Sequence, residues 1–184
     1  STGLRPRPAL SHAGPPAMAA RHLTEPLRTG MTAAAEMQAR AEGHDVAAAW
    51  ASMSRPSGEA ARILAPVAHA MTDVTGFGLA GHLLTILEAS GLSADLTAAA
   101  IPILLGAHDL TKAGVASSLL PQNRLMRNRV RCDDAVTLDL LFDPQTAGGL
   151  LATVSASHAA ETLARLCATG EPAAIIGTLK PGLP

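Results

Sequence analysis

The sequence has few aromatic residues, few cysteines and no long hydrophobic run. Aromatic side chains make up only 2% of the 184 residues, with no tyrosine, so the core must close through aliphatic and small side chains. The two cysteines, Cys132 and Cys167, are too few for a disulfide framework and show no metal-ligand spacing, which favours structural thiols in a reducing cytoplasm. No apolar run approaches membrane-spanning length and nothing resembles a signal peptide, so we expect no membrane partner.

An excess of charge of one sign is also lacking. The net charge of −1 provides no long-range field that would recruit nucleic acid. Four arginines fall within residues 124–131, but no aromatic side chain is interleaved and Asp133 and Asp134 follow, so a solvated loop is favoured, with an anion-contacting loop as the alternative. The seven histidines are scattered, with no pair at helical ligand spacing, which excludes a metal site built from histidine and cysteine.

The composition that is present suits a packed domain: 48% of the residues are hydrophobic and 16% are charged. Residues 1–23 are rich in proline and glycine and predict a linker or tail, whereas residues 24–184 predict one α+β domain with a mixed β-sheet covered by helices. We expect residues 117–131 to be irregular. Hydrophobic periodicity and breaker residues predict helices at 29–41, 45–53 (capped by Asp45), 58–66, 79–90 (ending at Gly91), 103–112 and 157–168 (capped by Ser157), and strands at 67–72, 93–97, 136–142, 149–154 and 173–178.

Residues 70–84, AMTDVTGFGLAGHLL, place a carboxylate and three glycines where a strand passes into a helix. Gly76 and Gly78 suit a phosphate-binding turn, because bare backbone N–H groups and a helix N-terminus attract anions. Asp73 would repel a phosphate unless a divalent cation lies between them, so the stretch suggests Mg²⁺ bound to a polyphosphate. The alternative is structural: Asp73 and Thr75 cap the helix while the glycines ease packing, and His82 is then a hydrogen-bonded structural residue.

Residues 142–151, FDPQTAGGLL, form a second concentration of polar and glycine residues. Composition alone favours a tight connection with an Asx-type turn, in which Asp143-Pro144 ends one strand and Gly148-Gly149 lead into the next. The functional interpretation is a second loop that flanks the ligand of the first one.

The two stretches together, TDVTGFGLAGHLL at 72–84 and LFDPQTAGGLL at 141–151, resemble the signature blocks of selenophosphate synthetases (selenide, water dikinases). LTEPLRTG at 23–30 and WASM at 50–53 are similar to the start of that family's C-terminal domain, so the resemblance runs from about Leu23 to the end of the chain. The wider superfamily includes aminoimidazole ribonucleotide synthetase, the hydrogenase-maturation dehydratase and thiamine-monophosphate kinase. The resemblance therefore implies their C-terminal α+β domain.

For the whole protein the resemblance implies a cytoplasmic kinase-type enzyme that converts ATP, selenide and water to selenophosphate, AMP and orthophosphate with Mg²⁺. The preceding N-terminal domain of such enzymes carries the nucleophile and most of the ATP chemistry, and it forms most of the homodimer contact. The chain alone is therefore expected to be inactive. Residue by residue, the resemblance implies a metal ligand at Asp73 and a nucleotide-binding loop at Thr75, Gly76, Gly78, Gln145, Thr146, Gly148 and Gly149.

Two segments depart from the family pattern. Glu25 and Arg28 stand in EPLRTG where relatives often have KPLGTG, and SSLLPQNRLMRN at 117–128 replaces a glycine-rich loop. Two alternatives therefore stay open. The chain could belong to another ATP-using enzyme of the superfamily, of the purine-pathway ligase or dehydratase type, or it could be a non-catalytic association module.

Overall fold

The structure, a computed structural model, describes residues 19–27 and 29–182. Five strands form one sheet, and they span Ala19–Leu23 (β1), Ala68–Asp73 (β2), Leu92–Leu96 (β3), Leu150–Ser155 (β4) and Ala174–Pro181 (β5). The helices within the described ranges are Thr29–Met37 (α1), Gly43–Met53 (α2), Gly58–Leu64 (α3), Gly78–Ser90 (α4), Ala107–Lys112 (α5), Leu120–Asn123 (α6), Ala135–Phe142 (α7) and Ala156–Ala168 (α8). Short 3₁₀ segments occupy Ala98–Ala100 and Arg124–Arg129.

The sheet has the strand order β2-β4-β1-β5-β3, and the predicted α+β class is confirmed. All of its pairings are antiparallel, which corrects the predicted mixed sheet. Within the described ranges, parallel pairing is confined to an isolated bridge between Leu27 and Ile103. No two neighbouring strands are consecutive in the chain. Strands β4 and β5, which α8 connects, run parallel to each other, but β1 lies between them and pairs with each in the antiparallel direction.

Helices cover both faces of the sheet, and strand residues alternate between the two cores as their period of two requires. On β4, Leu151 packs into the larger core beneath α4 and α7, whereas Ala152 and Val154 pack into the smaller core beneath α3 and α8. Helix α1 lies apart from these layers, where it packs against α2 and α5. The aromatic-poor composition is matched by cores of leucine, isoleucine, valine and alanine, with Phe142 as the largest fully buried side chain.

The predicted strand at 136–142 is wrong, because these residues form helix α7. Asp134 begins the helix, since its carboxylate accepts a hydrogen bond from the Thr137 N–H at 2.9 Å. Leu138, Leu141 and Phe142 then share one buried face at helical spacing. The short segment also alternates polar and apolar residues, so its periodicity alone fitted a strand as well.

The predicted linker at 1–23 is wrong over its last five residues, which form β1 in the centre of the sheet. The prolines of that segment all precede Ala17, so none interrupts the strand. Partner strands β4 and β5 satisfy the backbone groups of β1 on both sides, and both lie far away in the sequence. Residues 1–18, the rest of the predicted linker, lie outside the described residues.

Three smaller differences concern helix starts. Helix α2 begins at Gly43 after Glu42, so Asp45 lies in its first turn and is not the N-cap. Helix α8 begins after Ser155 and not after Ser157, and α5 begins only at Ala107. By contrast, Gly91 ends α4 in the left-handed conformation, as predicted, with φ of 64°.

Both cysteines are free thiols, half-buried at Cys132 and exposed at Cys167. None of the helices within residues 19–27 and 29–182 is long and apolar enough to cross a membrane.

Candidate functional site

The two motifs singled out in the sequence lie side by side at one end of the sheet. Asp73, the last residue of β2, pairs with Leu150, the first residue of β4. The Val74 N–H donates to the Gly149 carbonyl at 2.9 Å, and the Gln145 N–H donates to the Thr75 carbonyl at 3.0 Å. We call residues 73–78 the aspartate loop and residues 143–149 the DPQT loop. Main-chain hydrogen bonds hold these two loops together as one surface.

His82, one turn into α4, fixes the aspartate loop. Its Nε2 accepts a hydrogen bond from the Thr75 backbone N–H at 3.0 Å, so the ring proton lies on Nδ1. The Thr75 hydroxyl also lies 3.3 Å from the same nitrogen. Burial lowers the pKa of His82, and the nearby Asp73 carboxylate opposes this only in part. His82 therefore serves here as a neutral acceptor that positions Thr75, which agrees with the structural interpretation of this histidine.

Glycine is required at position 78 for two reasons, the backbone conformation and a close contact with α7. Its φ is 69°, a conformation that costs other residues free energy. A Cβ at this position would lie 2.7 Å from the Phe142 carbonyl carbon and 2.8 Å from the carbonyl oxygens of Leu141 and Asp143. Gly78 therefore allows helix α4 to start against the end of α7.

Gly76 is different, because the described residues give no steric reason for a glycine there. Its φ is not positive, and a Cβ at this position would meet no atom within 4 Å. Its carbonyl accepts a hydrogen bond from the Asn123 Nδ2 at 2.8 Å. Gly76 thus borders open space next to the exposed Asp73, which leaves room for a group from outside these residues to approach the backbone.

The polar side chains of the DPQT loop turn inward onto the N-terminus of α1. Asp143 is fully buried and its Oδ2 accepts from the Met31 N–H at 3.1 Å. Gln145 is 5% exposed, and its Oε1 accepts from the Thr29 N–H at 3.0 Å while its Nε2 donates to the Asp143 carbonyl at 2.9 Å. These bonds satisfy two N–H groups that every helix start leaves without an intrahelical partner. Gln145, predicted to bind nucleotide, is thus engaged inside the domain.

The rest of the DPQT loop combines tight packing at its two glycines with two exposed residues, Thr146 and Ala147. A Cβ on Gly148 would lie 2.1 Å from the Val74 carbonyl oxygen, and a Cβ on Gly149 would lie 2.6 Å from the Glu25 backbone nitrogen. Both glycines are therefore needed for loop packing. The main chain of Thr146 exchanges two hydrogen bonds with the Thr29 hydroxyl, at 2.8 and 2.9 Å, while the residue itself is exposed.

Asn123 is a residue of the site that the sequence interpretation missed. It is 3% exposed, and its Nδ2 donates to the carbonyls of Gly76 at 2.8 Å and Phe142 at 3.0 Å. This side chain joins the aspartate loop to the end of α7. The segment around Asn123 has no clear periodicity, so no sequence signal marked this residue.

The site is an open surface that offers a single carboxylate to a metal ion. Within the described ranges no three histidine, cysteine, aspartate or glutamate residues are grouped as a metal site would require. Asp73 can therefore contribute one ligand, which fits Mg²⁺ because this ion keeps several waters and binds one or two carboxylates together with phosphate oxygens. Phe77, in the aspartate loop, has 59% of its surface exposed.

Residues 22–182 match the family described as AIR synthase related protein, C-terminal domain. The selenide, water dikinase of Pseudomonas aeruginosa is 38% identical over 162 residues, which cover 86% of this chain and 46% of that protein. The selenide, water dikinase of Nitratidesulfovibrio vulgaris is 36% identical over 176 residues, which cover 88% of this chain and 48% of that protein. The chain therefore spans about half the length of these curated relatives.

Solved structures confirm the fold. A thiamine-monophosphate kinase from Stenotrophomonas maltophilia matches 95% of this chain and 51% of its own with a TM-score of 0.62 at 18% identity. The hydrogenase maturation protein HypE, in a HypE–HypF complex, matches 94% of this chain and 50% of its own with a TM-score of 0.63 at 15% identity.

Proposed function

This chain belongs to the AIR synthase related family as its C-terminal domain, and on that premise we propose that it is the C-terminal half of a selenophosphate synthetase. The whole enzyme then converts ATP, selenide and water to selenophosphate, AMP and orthophosphate. The observation that carries the proposal is the contact between the aspartate loop and the DPQT loop, which leaves Asp73 exposed beside open space at Gly76.

Asp73 has the role of a magnesium ligand in this proposal. Asp73 is the last residue of an edge strand and is exposed at the surface. A carboxylate at this place would repel the phosphates of ATP unless a cation lay between them. A Mg²⁺ ion supplies that cation and neutralises phosphate charge when bound. Asp73 can hold it only together with phosphate oxygens, waters or groups from outside this chain, since the described residues group no other potential ligands with it.

The loops around Asp73 have the role of a wall for the nucleotide. Gly76 lets the phosphates approach the backbone, Thr75 offers a hydroxyl that His82 holds in place, and Thr146 offers an exposed hydroxyl. Gly78, Gln145, Gly148 and Gly149 contribute to binding through the loop shape that they make possible, because their own contacts lie inside the domain.

An N-terminal domain of the same protein completes the site. The relatives are about twice as long as the matched region, and an open surface cannot exclude water from a phosphoryl transfer by itself. The nucleophile and the remaining magnesium ligands lie in that domain, which also forms most of the homodimer contact in the cytoplasm. The chain of 184 residues alone then gives no turnover.

The test is product analysis with the purified full-length protein that carries this sequence. We expect selenophosphate, AMP and orthophosphate by ³¹P NMR when ATP, Mg²⁺ and selenide are supplied without oxygen, and no product from the 184-residue chain. Selenide-independent conversion of ATP to ADP with a purine-pathway substrate would instead assign another enzyme of the superfamily. A full-length protein that consumes no ATP under any of these conditions would favour the association module.

A further inference from the structure

Glu25 is a buried carboxylate directly behind the DPQT loop. It is 2% exposed and follows β1, where its backbone nitrogen and Cβ would each lie 2.6 Å from a Cβ on Gly149. The Ser52 hydroxyl on α2 donates a hydrogen bond to its Oε2, at a long 3.4 Å.

The charges around Glu25 do not balance. Two charged side chains interact electrostatically with its carboxylate: Glu171, in the connection between α8 and β5, and Arg55, just after α2. Glu171 is itself 7% exposed. The side chain of Arg55 is 39% exposed, lies 3.9 Å from Glu171 Oε2 and donates to the Gly170 carbonyl at 2.7 Å. Among the described residues, two buried carboxylates therefore share one partly solvated guanidinium.

We propose that Glu25 is a positioning residue that carries a proton in the arrangement seen here, and that its ionisation loosens the DPQT loop behind Asp73. A lone proton from solvent removes the surplus negative charge without adding an atom that the tight packing could not accept. Burial and the Glu171 carboxylate raise the pKa of Glu25 to about 7, and Ser52 and Arg55 offset this only in part. Ionisation thus falls near neutral pH.

The route from Glu25 to Asp73 is short. Glu25 packs on Gly149 through its backbone nitrogen and Cβ. The Gly149 carbonyl accepts from the Val74 N–H at 2.9 Å, and Val74 follows Asp73 directly. Gly148 packs closely on the Val74 carbonyl. When Glu25 ionises, its carboxylate gains free energy by moving toward water and Arg55, and Gly149 has no side chain that would resist the shift. The backbone at Val74 then follows Gly149.

The first test is NMR titration of the 184-residue chain between pH 5.5 and 8.5. We expect the Glu25 side-chain carboxyl carbon to titrate with a midpoint near 7, and the amides of Val74 and Gly149 to shift with the same midpoint. Glu25→Gln should hold both amides at their low-pH positions, whereas Glu36→Gln, an exposed control on α1, should titrate like the unmodified chain. A Glu25 midpoint below pH 5, or unchanged amide titration in Glu25→Gln, would overturn the proposal; the carboxyl measurement needs no variant, so it holds even if Glu25→Gln does not fold.

The second test concerns catalysis and rests on the proposed function. In the full-length protein, kcat/KM for ATP should fall above pH 7, and Glu25→Gln should remove that fall while Glu36→Gln keeps it. A normal pH profile beside a confirmed Glu25 titration would refute the positioning role alone. Absence of selenophosphate formation in every variant would instead count against the proposed function, because the NMR titration does not depend on it.

Discussion

Gly78→Ala should destabilise the domain far more than a glycine substitution with the same backbone conformation elsewhere. Gly78 and Gly91 have φ values of 69° and 64°, and they flank the same helix. At Gly91 a Cβ would meet no atom within 4 Å, whereas at Gly78 it would lie within 2.8 Å of three backbone atoms of residues 141–143. The two positions therefore separate backbone strain from steric contact.

The magnitudes follow from these two terms. The left-handed conformation costs alanine about 1–2 kcal/mol, and the lower entropy of its unfolded chain returns about 0.4–1 kcal/mol, so Gly91→Ala should lose about 1 kcal/mol. Gly78→Ala carries the same strain and also a contact with backbone that cannot rotate away, for which overpacking costs about 1–3 kcal/mol. Its total loss is then about 2–4 kcal/mol, which corresponds to roughly 5–15 °C in Tm for a domain of this size.

The assay is urea and thermal unfolding of the 184-residue chain, followed by circular dichroism. Gly76→Ala provides a third variant, because Gly76 has neither a positive φ nor a neighbour within 4 Å of its Cβ position. It should stay within about 0.5 kcal/mol of the unmodified chain and yet lower the turnover of the full-length protein, where nucleotide needs that space. Equal losses of stability for Gly78→Ala and Gly91→Ala would refute the packing argument.

Three further predictions concern stability and pH. Asn123→Ala should cost about 1–3 kcal/mol in urea unfolding, since it removes the donor shared by the Gly76 and Phe142 carbonyls; a loss below 0.5 kcal/mol would contradict this. Asp134→Ala should lower the Tm at neutral pH because it removes the helix cap, whereas Asp134→Ser should keep most of the Tm because serine can also cap. The hydrogen bonds from Thr137 lower the pKa of Asp134, so the unmodified chain loses its cap only as acid protonates the carboxylate. The Tm values of the unmodified chain and of Asp134→Ala should converge at strongly acidic pH. A difference in Tm that stays constant with pH would count against the cap. Burial lowers the pKa of His22, whose Nε2 donates to the Ala159 carbonyl at 2.9 Å, so the unfolded chain binds the extra proton and stability falls as the pH drops below about 6.5. His22→Gln should flatten that acid limb relative to the unmodified chain, and an identical limb in both would show that other groups cause it.

Local sequence signals correctly predicted the elements in which hydrophobic periodicity and capping residues indicate the same structure. Helix α4 has apolar residues at helical spacing and a terminal glycine that reaches the left-handed conformation, so each signal pointed to the same result. The predictions for residues 19–23 (β1) and 136–142 (α7) were wrong because partners far away in the sequence stabilise these elements. Strand β1 depends on β4, more than a hundred residues later, and the buried face of α7 depends on its packing against α4. Only the start of α7, at the Asp134 cap, is set locally.

The candidate site was predicted as a set of residues but not as a set of contacts. The functional interpretation placed the two loops side by side, and the pairing of β2 with β4 brings them together. The inward turn of Asp143 and Gln145 depends instead on the start of α1, 112 and 116 residues earlier. Glycines likewise look alike in a sequence. Close backbone contacts in the fold require glycine at positions 78 and 148 but not at position 76, and the sequence does not distinguish these cases.

The most direct test of the account is the rate of selenophosphate formation by the full-length protein with Asp73→Asn, measured beside Asp95→Asn. Asp95 is an exposed aspartate on β3, the opposite edge of the sheet, and forms a surface ion pair with Lys180. Asp73→Asn keeps the shape of the side chain but removes the charge that binds Mg²⁺, so we predict a loss of about 100-fold or more at fixed ATP and Mg²⁺, with the rate of Asp95→Asn near that of the unmodified protein. If Asp73→Asn turned over at the unmodified rate while properly folded, Asp73 would not be a metal ligand and the proposed site would be wrong.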